Sequence, residues 1–404
     1  MNPREIKIFC ILFVAVLAAL TGVGIVVPLL PVYARDLGAG GFAIGMIFGI
    51  FSISRTAFIP YFGRASDRRG RKPFIVAGLL GYAAVALALY YTTNIMALIG
   101  IRFFQGIFSA MMMPVLQAYV GDITPDGREG FTMGLFNLAT FVGMGMGPFM
   151  GGVISDHWGL QAAFASMGVL ALTGFLLSAV GLPSAEREFA LRHYTAPLAW
   201  RQLLKDREIL GLFIFRTAYT TCIGVIWGFL PIFADQSLHL SRSAIGALIM
   251  TGVMVSGVFH VPMGYLSDRV RKPRMVVVGG LLAGMGVLTF IWGRTFSDML
   301  LSSGLFGLGG GIAMPALMGM AVSKGSRSGG MGSVMAILTL GHSLGMMTGA
   351  LVAGLFMDQL QLKWAFPFGG IVMILGVCSF QRLTSGSDGL AAASERPLID
   401  DHGA

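Results

Sequence analysis

The chain has 404 residues, of which 55% are hydrophobic and only 12% charged, with a formal net charge of +9. Soluble domains carry roughly 25% charged residues, so this composition excludes a chain whose surface is mostly wetted. The basic excess tempts a nucleic-acid reading, but its distribution, described below, excludes that as well.

Twelve long apolar blocks follow one another, at roughly 7–34, 41–62, 74–92, 96–120, 130–155, 161–182, 208–234, 243–265, 274–292, 297–322, 330–357 and 362–381. About 20 apolar residues cross a bilayer as a helix, and backbone groups in lipid must be satisfied within the segment. The blocks therefore predict an all-α polytopic membrane protein. The short alternating strands of a membrane barrel are not seen in the sequence. The first block is long and runs straight into further spans, so it reads as span 1 and not as a cleaved signal.

Between the blocks, 21 of the 28 Lys and Arg fall in one set of connectors, with Arg4, Arg64, Arg68, Arg69, Arg71, Arg269 and Lys324 among them. The other set holds only Arg35, Arg242, Arg294 and Lys363. This asymmetry is the positive-inside rule, and it predicts a multi-pass protein of the cell (inner) membrane with both termini cytoplasmic. The basic excess reports topology in a lipid bilayer and requires no nucleic acid.

The longest polar stretch between blocks divides six spans from six. The expected organisation is a bundle over 1–182, a cytoplasmic linker over 183–207, a second bundle over 208–382, and a Ser/Gly/Ala-rich tail over 383–404 that reads as disordered. Cys10, Cys222 and Cys378 all fall in apolar blocks and offer neither a disulfide framework nor metal spacing.

The two halves repeat. Gly63-Arg64-Ala65-Ser66-Asp67-Arg68-Arg69-Gly70-Arg71-Lys72-Pro73 follows span 2, and Gly264-Tyr265-Leu266-Ser267-Asp268-Arg269-Val270-Arg271-Lys272-Pro273, one glycine shorter, follows span 8. Pro31 matches Pro231, and Gly106 and Pro114 match Gly307 and Pro315. Gly143, Gly147 and Gly151 match Gly341, Gly345 and Gly349. Same-direction repeats of six helices predict two pseudo-symmetric bundles with a substrate site between them near the midplane.

Three motifs carry a resemblance. Gly63 to Lys72 is similar to the loop signature G-x-x-x-D-R-x-G-R-K, Arg102-x-x-Gln105-Gly106 resembles the span-4 signature, and Gly143-x-x-x-Gly147-Pro148-x-x-Gly151-Gly152 fits the span-5 antiporter signature. Over roughly 7–381 the chain resembles the major facilitator transporters, most of all the twelve-span drug–proton antiporters. The resemblance implies that Asp67 meets the N-terminus of span 11 near Gly330, and that Arg71 pairs with Asp122, together latching the cytoplasmic side. The other reading of the basic cluster, Arg68 above all, is topology alone. Asp268 is the same argument in a degraded copy. The span-5 glycines share one helix face, where small residues permit close approach, and Pro148 loosens that helix.

Two enzyme-like patterns carry no chemistry. Gly307-Leu308-Gly309-Gly310-Gly311 lies inside an apolar block without the strand or Lys-Ser/Thr of a phosphate loop. Ser155, Asp156 and His157 are merely adjacent and read as a polar outer loop.

Charges within the membrane are expensive and mark function. Arg55, Arg102 and Arg216 fall inside spans, and with Gln105 they are expected to line a substrate or proton pathway. No Asp or Glu lies clearly mid-span, a departure from many drug–proton antiporters, which leaves His342 as the candidate titrating group, with His260 behind it. Seventeen of the 26 methionines fall in spans 4, 5, 10 and 11, a pattern open both to adaptable binding surfaces and to plain packing.

The sequence thus points to a secondary active transporter working by alternating access. The expected form is a proton-coupled exporter of amphipathic small molecules, neutral or anionic, with no catalytic residue, cofactor or metal. An organic-anion carrier is the second reading, and a non-transporting membrane receptor on the same fold the third.

Overall fold

The protein is described by a computed structural model over residues 3–125, 128–183, 205–328 and 331–385. Among these residues every regular element is a helix. Twelve are long and apolar enough to cross a membrane. The linker core, the tail and the position of Gly330 lie outside the described residues.

The first half comprises α1 (Pro3–Val26), α2 (Leu29–Asp36), α3 (Gly41–Arg69), α4 (Lys72–Tyr91), α5 (Ile95–Asp122), α6 (Glu129–Trp158) and α7 (Leu160–Gly181). The second comprises α8 (Arg207–Leu238), α9 (Arg242–Ser267), α10 (Lys272–Thr289), α11 (Phe296–Ser328), α12 (Met331–Gln359) and α13 (Ala365–Thr384). Span 1 is two helices rather than one. Pro28 has no N–H to donate, and the break falls at Val27–Pro28.

Several helices outrun their apolar blocks. Span 2 continues helically through the charged stretch to Arg69, because hydropathy marks where lipid ends, not where hydrogen bonding ends. Gly70 then turns the chain at φ 89°, a backbone conformation that suits glycine. Ser155, Asp156 and His157 form the last turn of α6 and not a loop. Gly307 to Gly311 lie within α11, as packing positions in a helix.

Packing repeats with the sequence. In the first half α6 lies on α1, and in the second α12 lies on α8. α3 packs on α5, and α9 on α11. The halves meet along two seams, α3 with α12 and α6 with α9. Helix α8 begins with a side-chain cap: Asp206 accepts from Glu208 N at 2.9 Å and Ile209 N at 3.2 Å. Partial burial opposes ionisation of Asp206, but the hydrogen bond from Lys324 and those two N–H groups outweigh it and hold its carboxyl below the usual range.

Candidate substrate pathway and gates

Glycine sets how the helices approach. Gly143, Gly147 and Gly151 form one face of α6, and a Cβ on Gly147 would fall 2.7 Å from both Gly24 Cα and Thr21 O of α1. A Cβ on Gly143 would fall 3.0 Å from Leu17 O. This face locks α6 to α1 inside the first half. The close approach expected of these glycines thus falls within the first half. Only the Pro148 and Gly152 side of the motif faces the other half, with Gly152 on Arg242 and Ser243 and the Pro148 carbonyl on Gly246. Gly341, Gly345 and Gly349 repeat the arrangement against Phe213, Thr217 and Thr221 of α8. Gly106 meets the Phe51 carbonyl of α3, and Gly307 meets Gly252 of α9 in the same way.

Two ends of the bundle are distinguished by Arg35 and Arg71. At the Arg71 end, Arg71 Nε donates to Asp122 Oδ2 at 3.0 Å. Its Nη1 donates to Ser66 Oγ at 2.8 Å and also to Asp67. Asp67 is more than half exposed, Arg68 is exposed, and Gly63 sits within α3 with open space where a Cβ would be. Gly70, and not Gly63, is thus the glycine whose backbone the turn requires. In the shortened copy, Asp268 pairs with Lys272 at 3.2 Å. Deleting the glycine brings the lysine four residues on, the offset that Arg71 has from Asp67.

The Arg35 end is closed. Arg35 Nη1 lies 2.6 Å from Asp235 Oδ2 across the halves. Gly41 N and Phe42 N donate to Asp358 at 2.5 and 2.8 Å, and Arg242 N and Ser243 N donate to Asp156 at 3.1 and 2.8 Å. Deeper in, Thr56 of α3 bonds Ser343 of α12, and the Phe141 ring of α6 lies 5.1 Å from the His260 ring of α9. From Gly41 to Thr56 the seam runs about 22 Å along the helix, at about 1.5 Å per residue.

The intramembrane arginines do not share one surface. Arg102 is 2% exposed. Its Nε donates to Ile47 O at 3.1 Å and its Nη1 to Gln105 Oε1 at 2.6 Å. The guanidinium carbon stands 4.4 Å from the Phe51 ring centroid, a cation–π contact. Arg102 therefore ties α5 to α3, with Gln105 of its own helix holding the guanidinium, and both side chains are buried in this state, in contrast to the expectation that they line the pathway. Arg55 and Arg216, in opposite halves, are half-buried, each with an Nε that has no partner among the described residues. Arg216 donates to Met314 Sδ at 2.9 Å, and its Nη2 stands 3.4 Å from His342 Nδ1. Arginine can only donate, so a hydrogen bond at this contact would have His342 Nδ1 as its acceptor. The sequence expectation of a titrating imidazole meets a guanidinium at that nitrogen.

One turn beyond Arg216 lies a cavity of about 210 Å³ that the sequence did not reveal. Thr140, Phe141 and Met144 of α6 line it on one side, and Tyr219, Trp227 and Ser256 are among the lining residues from the second half. Phe306 stacks on Tyr219 at 5.3 Å. Thr140 Oγ1 and Ser303 Oγ are buried there without a partner among the described residues. The wall is apolar and aromatic, with these polar atoms available to an occupant. The carboxylates Asp36, Asp122, Asp235 and Asp358 stand near helix ends, away from this level.

The family model described as Major Facilitator Superfamily matches residues 12–235 and again 210–398. An uncharacterized MFS-type transporter of Methanocaldococcus jannaschii is 28% identical over 95% of this chain and 100% of its own length. Multidrug resistance protein 2 of Bacillus subtilis is 28% identical over 92% of this chain and 93% of its own. The multi-drug resistance efflux pump PmrA of Streptococcus pneumoniae is 26% identical over 83% and 87%. Among solved structures, a bacterial homolog of the human lysosomal transporter Spinster, titled as inward-facing and unoccupied, superposes with a TM-score of 0.75 at 13% identity over 95% of this chain and 96% of its own. The human organic anion transporter MFSD10 superposes at 0.66 and 18% identity over 94% and 100%. With twelve membrane-crossing helices in two repeated halves and a family match that spans both, the chain belongs to the Major Facilitator Superfamily of multi-pass membrane transporters.

Proposed function

We propose that the protein exports amphipathic small molecules, neutral or anionic, by proton-coupled alternating access, with the Arg71 end and both termini in the cytoplasm. The observation that carries the substrate class is the apolar chamber, whose lining residue Tyr219 lies one helical turn from Arg216. An apolar body fills the space between Phe141, Trp227 and Phe306 while a negative or dipolar group meets Arg216 and Arg55 from the two halves. At an effective dielectric of about 20, an ion pair at 4 Å is worth roughly 4 kcal/mol before desolvation. With the Arg71 end cytoplasmic, closure at the Arg35 end corresponds to the inward-facing state. No reaction is done on the substrate.

Proton coupling is supported by the span-5 signature, and export by the multidrug relatives. Asp67, held beside Arg71 and Asp122 within the first half, serves as the cytoplasmic latch by meeting the start of span 11 in the outward-facing state. A second reading, a carrier of organic anions, is favoured by Arg55 and Arg216, whose buried Nε atoms have no partner among the described residues. Flux in proteoliposomes under an imposed pH gradient, against matched anionic, neutral and quaternary-ammonium analogues, separates the readings. Gradient-driven flux of neutral and anionic amphiphiles is expected. Preference for the cationic analogue would overturn the substrate class. Flux indifferent to the gradient would overturn the coupling. Thiol tagging near Ser387 from the cytoplasmic side alone checks the orientation.

A further inference from the structure

A helix start leaves its first N–H groups unsatisfied, and a side chain of the residue just before the helix often accepts from them. Helix α3 has Gly40 at that position, which has no side chain to offer. Its first two N–H groups are taken by Asp358, more than 300 residues away at the end of α12 in the other half. Helix α9 has a local cap, Ser241 Oγ accepting from Ala244 N at 3.2 Å. Its Arg242 and Ser243 N–H groups are nevertheless taken by Asp156, at the end of α6 in the first half. Arg242 Nη1 adds a bond to Ser155 Oγ at 2.8 Å. The two carboxylates stand at the ends of the corresponding spans 5 and 11, Asp358 one helical turn farther along its span than Asp156, and cap the starts of spans 8 and 2. By contrast Asp298, at the same end of the molecule, accepts from Arg294 and Thr295 N–H at the start of its own helix.

We infer that Asp156 and Asp358 form a pair of gate latches on corresponding spans that hold the Arg35 end closed by capping, each with its carboxylate, a helix of the opposite half. Both caps exist only while the halves touch at this end. Each combines two charge-assisted hydrogen bonds with the attraction of a negative group to a helix start. Opening strips both helix starts at once, and water takes over the N–H groups. The latches therefore bias the equilibrium between the two access states without touching substrate. Arg35 with Asp235 adds an ordinary ion pair at the same level, and the caps add directionality that an ion pair lacks, since each oxygen must face a particular N–H. This inference stands whichever side of the membrane the Arg35 end faces and whatever is carried.

The test is a spin-label distance between cysteines introduced at Gln161 and Gln361, both exposed near the Arg35 end in opposite halves, in the full chain with Cys10, Cys222 and Cys378 replaced. Asp156→Asn and Asp358→Asn are each expected to raise the open-to-closed ratio about threefold, and the double variant about tenfold. Asp298→Asn, the same change at a cap within one half, should leave the ratio unmoved. An unchanged ratio in the double variant overturns the inference, and so does an equal shift in Asp298→Asn. A double variant that cannot be obtained as a homogeneous species also counts against it, since a latch broken in every cycle is dispensable for folding.

Discussion

Gly45→Ala offers a clean separation of gate packing from helix packing. Gly45 faces the other half, and a Cβ there would lie 2.7 Å from Ala350 O and 2.9 Å from Leu351 Cα. Ordinary contact begins at 3.4 Å, so α3 and α12 must part by several tenths of an ångström. The obstacle is backbone, which cannot rotate away as a side chain can. Overpacking of this kind costs about 1–3 kcal/mol. That cost falls only on the state closed at the Arg35 end, because the two surfaces separate in the other. The open-to-closed ratio should therefore rise about 5- to 150-fold. Gly147→Ala introduces the same crowding between α6 and α1 within one half. It burdens both states alike, so it should lower the thermal aggregation midpoint and leave the ratio alone. Spin-label distances between positions 161 and 361, measured beside thermal aggregation, decide the matter. If Gly45→Ala leaves the distances of the parent, or if Gly147→Ala moves them as far, the assignment of these glycines to different interfaces is refuted.

Asp67→Asn should cut transport sharply while equilibrium substrate binding survives, and parental flux would leave Asp67 a topological role alone. Arg216→Gln should reduce the preference for an anionic over a cationic analogue about tenfold, equivalent to about 1.4 kcal/mol, as read by competition binding. Arg102→Gln should leave that preference intact, because its guanidinium is already held by Ile47 O and Gln105. Its cost appears instead in thermal stability, about 1–3 kcal/mol for the buried partners left behind.

The fold was legible because lipid imposes a coarse rule. An apolar run long enough to cross reads as a span, and the duplicated Asp67 and Asp268 loops, with the duplicated glycines, give away the two halves. Helix ends were less legible: α3 runs on to Arg69 through residues that hydropathy places in water. The Arg71–Asp122 pairing followed from the family resemblance, since nothing in the spacing of the two residues joins them. Arg102 shows the limit for charges within the membrane. Its span and its depth could be read, but whether it faced a cavity or a neighbouring carbonyl depended on the rotation of α5 against α3. The caps of Asp156 and Asp358 left no local signal at all, because their acceptors and donors are far apart in the chain and the donors are backbone groups that any residue possesses. The one hint was negative: a helix start at Gly41 with glycine before it and no capping side chain of its own.

The chamber beside Arg216 is lopsided. Helices α8, α9 and α11 build most of its wall, and the first half closes it with α6 alone, through Thr140, Phe141 and Met144. A passenger lodged there belongs to the second half and rides with it when the halves rock. During that movement it parts from a single helix and keeps the rest of its surroundings. Residence time should then depend on the grip of that one helix, while the other three determine which molecules are admitted. Thr140→Val and Met144→Ala, which alter only the departing wall, should accordingly change the rate of escape more than the choice of cargo.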